Sequence, residues 1–179
     1  MATKLENRMK LMKYRITLAL ILLVLLIMSA PKPTAQESAT IQATATVVSS
    51  LSVTGDNGLN FQTVTPGVPK AVDKATSADA GHFVISGAGT DEVQLQFTTL
   101  PNQLSAGGNT MPISFGATDA SYGNDQGTAT AMNPTGVVTA NLVAGALEVW
   151  LGGTVSPGAA QTGGNYAASV VLQVTLTGN

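Results

Sequence analysis

From Thr40 to Thr54 the chain alternates. Ile41, Ala43, Ala45, Val47, Ser49, Leu51 and Val53 fall in one phase. Thr40, Gln42, Thr44, Thr46, Val48, Ser50, Ser52 and Thr54 fall in the other. A period of two is the mark of a strand with one buried face, and the threonine and valine content favours strand over helix. The run exceeds the usual strand length of about 5–6 residues, and Ser49-Ser50 interrupts its apolar phase. It therefore predicts two consecutive strands, 40–48 and 51–54.

The same pattern recurs downstream. Asp56-Asn57-Gly58 is a turn signal, and LNFQTV (59–64) reads as a short strand. TPGVP (65–69) breaks it, since proline cannot donate to a ladder. KAVDKA (70–75) suits a weak edge. GHFVIS (81–86) and EVQLQFTTL (92–100), separated by GAGTD, read as a hairpin with Val93, Leu95 and Phe97 inward. TMPISF (110–115) is the next strand. Residues 116–136 predict loop or a ragged hairpin, and 137–143 and 146–151 two more strands. In the latter, Leu147, Val149 and Leu151 alternate with Glu148 and Trp150. After a long turn region, 152–165, YAASVVLQVTLT (166–177) repeats the clean alternation. No sustained helical period follows residue 35. Eight or so short strands between Gly, Pro and Asn turns predict an all-β fold: an antiparallel, immunoglobulin-like β-sandwich, with a closed barrel as the alternative.

Charge changes the picture at the front. Six of the eight cations precede residue 36; beyond it two lysines face nine carboxylates, a net charge of −7. Such a body offers phosphate backbones and anionic lipid nothing to hold, so nucleic acid and membrane are not expected partners of the mature form. The basic start leads into ITLALILLVLLIMSA (16–30), fifteen residues that fit a secretory signal better than a spanning helix of about 20. Cleavage is expected near Ala35, with an uncleaved membrane anchor as the alternative. The division is then 1–35 signal peptide, 36–49 alternating strand and 50–179 sandwich, in a protein exported to the periplasm, cell surface or exterior. The chain has no cysteine, so stability must come from core and sheet pairing without disulfides.

Catalytic chemistry is thinly represented. A nucleophile–base site needs a thiol, or a hydroxyl beside a base. His82 is the only histidine, out of phase with Phe83 and Ile85, and reads as a rim or solvent-facing strand residue. Gly87-Ala88-Gly89 precedes no helix and reads as a turn. Asp119, Asn124 and Asp125 could offer oxygens to calcium, but their spacing matches no EF-hand. Trp150, the one tryptophan, reads as a packing residue rather than a sugar platform. The residues thus point to no enzyme, no catalytic or metal site and no cofactor.

Taken in order, IQATATVV, the short strand at Leu51, LNFQTV before a proline turn and the closing GGNYAASVVLQVTLT resemble the secreted spore coat protein U-like domains and the subunits of archaic chaperone–usher pili. A related secreted family of unknown function shares the pattern. The resemblance spans residues 36–179, and G-N-Y-x-x-x-V-x-x-x-V-T is its most specific motif. Those pilins usually carry a cysteine where Leu51 stands, which places this chain nearer the uncharacterised branch. The resemblance implies a sandwich lacking one strand, which the N-terminal extension of the next copy supplies. The donor would be residues 36–49, entering with Ile41, Ala43, Ala45 and Val47. The acceptor edge would carry Val170, Leu172, Val174 and Leu176. Partners would be other copies or related subunits, a periplasmic chaperone and an outer-membrane usher. Pairing of 40–48 within its own domain is the competing arrangement.

Two functions follow: a non-enzymatic structural or adhesive surface subunit, pilin-like or coat-like, or a self-contained secreted sandwich that binds carbohydrate or a surface partner.

Overall fold

The computed structural model describes residues 12–15, 42 and 50–177. The chain divides into two units, residues 1–45 and 46–179. In the first, residues 12–15 are helical and Gln42 is exposed. The apolar run 16–30, the strand predicted over 40–48 (Gln42 apart) and the donor residues Ile41, Ala43, Ala45 and Val47 lie outside the described residues. Among the described residues no helix is long and apolar enough to cross a membrane.

The second unit is all β. Its strands are β1 (Ser52–Asn57), β2 (Lys70–Val72), β3 (Gly81–Ser86), β4 (Glu92–Thr99), β5 (Gln103–Ala106) and β6 (Asn109–Ser114). They continue with β7 (Ala120–Gly123), β8 (Thr130–Met132), β9 (Val137–Asn141), β10 (Ala146–Leu151), β11 (Gly153–Val155) and β12 (Val171–Leu176). They form three antiparallel sheets, ordered β1-β3-β10-β7-β8, β2-β11-β6-β5 and β12-β4-β9. The fold is thus an antiparallel sandwich, though with twelve described strands rather than eight.

The alternating residues meet as the period of two requires. Ile85, Leu147, Val149 and Leu151 from the five-stranded sheet pack against Val93, Leu95, Phe97 and Leu172 from the three-stranded one. A smaller core joins Phe61, Val72, Leu104, Met111, Ile113 and Val155. Leu59 and Phe115 touch both cores. Leu95 is fully buried, and Leu95→Ala is expected to cost about 2–5 kcal/mol, because a packed interior closes a cavity only in part. Urea unfolding with an unchanged slope would check this.

Several local expectations are corrected. β3 and β4 do not form a hairpin: β3 lies between β1 and β10, and β4 between β12 and β9. The GAGTD connection crosses from one sheet to the other and is clasped by the second crossing, between β9 and β10. Gly87 N donates to Gly145 O (2.9 Å), Gly145 N to Gly89 O (2.6 Å) and Leu142 N to Asp91 O (2.9 Å). Local spacing cannot separate a crossing from a hairpin when both are short and glycine-rich.

LNFQTV forms no strand. Gln62 has a φ of 53° and its N–H donates to Asn60 Oδ1 at 2.8 Å, a side-chain turn that competes with the ladder. Asp56-Asn57, expected to open a turn, instead continue β1, with the register slipping between Gly55 and Asn57. β5 and β11 escaped the sequence reading. β5 and β6 form a hairpin across Gly107-Gly108, whose φ values of 53° and 89° are those of the primed turns hairpins favour. β7 and β8 realise the ragged hairpin. The final strand begins only at Val171; before it, Ala167 makes an isolated bridge to Ser105.

Candidate functional site

The sandwich is open along one side. Across the row Val53, Ile85 and Leu147, which share a face of three neighbouring strands, exposure is 38% at Val53 against 0% and 2%. Every residue of β1 is exposed. Among the described residues, the core-facing side of this strand therefore has less cover than its neighbours. The three-stranded sheet ends similarly. β12 pairs only with β4 among the described strands, and its inner residues Val174 and Leu176 are half-buried against Leu95 and Val93, which are fully buried.

Between the end of β1 and the segment leading into β12 lies a cavity of about 900 Å³. Its apolar lining includes Leu59, Phe61, Phe83, Met111, Ile113 and Leu151, so it exposes parts of both cores. Of the four acceptor residues, Val170 lines this cavity. Leu172 is buried in the core, and Val174 and Leu176 pack against it. Among the described strands the unpaired feature of β12 is thus its outer backbone edge, while its inward side chains belong to its own domain.

One wall is locally braced. Gln161 Nε2 donates to Thr110 O (3.1 Å) and to Tyr166 Oη (2.6 Å), and Tyr166 Oη donates to Thr162 O (2.7 Å). Tyr166 was expected on the last strand; it acts here as a strut for the loop before it. Tyr166→Phe keeps the ring's packing and removes the two bonds of its hydroxyl, so a loss of about 1 kcal/mol is expected, measured by chemical unfolding.

On the opposite face of the five-stranded sheet, three adjacent strands bring together groups that are far apart in sequence. His82 Nδ1 lies 3.0 Å from Asp56 Oδ2, and His82 Nε2 lies 2.9 Å from Glu148 Oε2. The imidazole stacks on Trp150, ring centroids 5.2 Å apart and planes 11° from parallel. The His82 side chain is 17% exposed, so it is no open rim residue; period-two phase located its face, and strand pairing supplied its partners. Both ring nitrogens are taken by carboxylates, and among the described residues no hydroxyl bonds to the ring. Nothing there activates a nucleophile as a serine–base pair would. Trp150 is 5% exposed, packed as the sequence suggested, and presents no open platform for a sugar.

The remaining candidates have local roles. Asp119 Oδ2 accepts from Gly116 N (2.7 Å), and Asp125 Oδ1 accepts from Gly127 N (2.9 Å) and Thr128 N (3.2 Å). Each closes its own turn. The described residues hold no cluster of three or more His, Cys, Asp or Glu side chains fit for a metal ion.

No family model and no curated protein matches the sequence.

Proposed function

We propose that the protein is an exported, non-enzymatic structural or adhesive surface subunit, pilin-like or coat-like, whose copies join by donating a strand. Residues 36–49 of one copy would enter the open side of the next, pairing with the free edge of β12 and setting Ile41, Ala43, Ala45 and Val47 against the apolar part of the cavity lining. The observation that carries this reading is the open side itself: the end of edge strand β1 and the segment leading into edge strand β12 line a cavity that exposes both cores. An unpaired edge is a template for another strand, and strand addition draws affinity from main-chain bonds and specificity from alternate side chains. The segment Thr40–Ser49 carries no charge, as a strand entering an apolar groove requires. A periplasmic chaperone and an outer-membrane usher fit this reading as assembly partners, since an open edge needs cover before assembly.

Full-length protein purified without any assembly chaperone is expected to run as a ladder that resists SDS without heating and collapses on boiling. A monomer at every concentration would contradict the proposal. Export is tested separately: material from the periplasm or cell exterior should begin near Gln36, and Met1 intact on cytoplasmic protein would count against it.

A further inference from the structure

We infer that residues 161–170 form a hinged strap that closes the apolar floor of the cavity and lifts to admit a strand. Phe61, Leu104, Met111 and Ile113 line the cavity, yet each is only 5–9% exposed. All four belong to the smaller core, and Tyr166 packs against that core from the strap. The cavity is therefore roomy while its floor is shut. A strand that buries alternate side chains there needs the tyrosine ring out of its way.

The strap is fastened at few points, and its ends lie in different sheets. Ala167 exchanges both backbone bonds with Ser105 of β5 (3.0 and 3.1 Å), whereas Val171 pairs with Thr99 of β4. Just beyond Thr99, Pro101 stands on the cavity wall and has no N–H to carry that ladder further. Gln161 Nε2 reaches Thr110 O of β6, and Tyr166 Oη closes on Thr162 O. A Cβ at Gly164 would lie 3.4 Å from that of Ala106, at the end of β5. From Thr162 to Ser169 every residue but Tyr166 is exposed. Gly163 and Gly164 put two permissive residues beside the Gln161 anchor, and a side chain at Gly163 would meet open space. A surface segment with so few buried contacts opens at a lower cost than the whole domain.

Lifting also has a use. Tyr166, Ala168 and Val170 continue the phase of Leu172, Val174 and Leu176. A released strap can therefore lengthen the free edge of β12, which is the template an entering strand needs. That the occupant is a strand from another copy rests on the reading above; the motion of the strap does not.

The test is peroxide oxidation of methionine, read by mass spectrometry on unassembled full chains separated by gel filtration. Met111 reports on the floor. Met132, buried in the other core and absent from the cavity lining, is the reference. Ala106→Cys with Gly164→Cys ties the strap to β5, since a disulfide needs Cβ atoms about 3.5–4.5 Å apart. Ala106→Ser with Gly164→Ser has similar bulk and no bridge. Met111 is expected to oxidise about tenfold more slowly in the bridged chain than in the serine pair, because its local opening is lost. In Tyr166→Phe it should oxidise about fivefold faster than in the wild type, the factor one net hydrogen bond supplies. Met132 should not change in any of them. A pair that fails to bridge, a bridge that leaves Met111 as reactive, or a Tyr166→Phe effect shared by Met132 would overturn the strap. Assembly of the same chains, read as the SDS-resistant ladder, separates the two readings. The bridged chain should form no ladder until reductant is added, while the serine pair assembles as the wild type does. A bridged chain that assembles freely overturns the strap as the point of entry. A wild type that never assembles, with the oxidation pattern intact, overturns the strand-acceptor reading and leaves the strap standing.

Discussion

Gly152→Ala is expected to cost about 4 kcal/mol or more, a large part of the roughly 5–15 kcal/mol that holds a domain folded. Gly152 sits where the chain leaves β10 in the five-stranded sheet and enters β11 in the four-stranded one. A Cβ there would press into the carbonyl oxygen of Val72 and lie 2.9 Å from the amide nitrogen of Lys74. Both are backbone atoms, so no side-chain rotation relieves the contact. The residue is buried, and Val72 is tied to Gly153 in the β2–β11 ladder. Relief means pulling β2 from the sheet or shifting the corner, and Leu151 and Val155, both in the cores, flank that corner. Overpacking commonly costs about 1–3 kcal/mol; a rigid backbone clash at a corner shared by two sheets belongs above that range. Equilibrium urea unfolding measures it. A loss under about 1 kcal/mol would show that the corner yields more easily than its packing implies.

Deleting residues 36–48 is the second large effect. Burying a valine or isoleucine side chain is worth about 1.5–3 kcal/mol and an alanine methyl about 0.8 kcal/mol. In an apolar groove Ile41, Ala43, Ala45 and Val47 would together contribute roughly 5–7 kcal/mol, before any main-chain bonds. A whole domain has a net stability of about 5–15 kcal/mol. The trimmed chain is thus expected to be barely stable or unfolded, as read by far-UV circular dichroism and thermal melting. A synthetic peptide of residues 36–49 should restore folding, and so should the same segment fused after Asn179 through a flexible linker. A trimmed chain that melts as the full one does would remove this segment from the account of stability.

Side-chain phase was legible in the sequence; strand partnership was not. Phe83 and Ile85 against His82, and Val93, Leu95 and Phe97 against Gln94 and Gln96, face as the alternation demands, because side-chain direction in a strand is set locally. Which strands pair depends on contacts between distant residues. GAGTD reads as a hairpin turn and serves as a sheet crossing. The cluster at His82 follows the same logic, since its partners lie 26 and 66 residues away and no local spacing joins them. β5 could have been found, because Gly107-Gly108 between short runs is a hairpin signal. LNFQTV could not readily have been rejected, because the left-handed backbone at Gln62 leaves no mark on the apolar pattern. Tyr166 to Val170 keep perfect phase yet stay off the ladder, held by the loop that Tyr166 braces.

If the open side is filled from another copy, the absence of native cysteine allows that to be measured directly. Val170, which lines the cavity, is replaced by cysteine together with Ala43, Ala45 or Val47 in turn, so that the series covers the possible registers. Each double variant is oxidised in the assembled state and resolved without reductant. At least one pair is expected to give a ladder of disulfide-linked copies that boiling in SDS leaves intact and reductant collapses. A single band of monomer closed by an internal disulfide, unchanged across protein concentration, would contradict it.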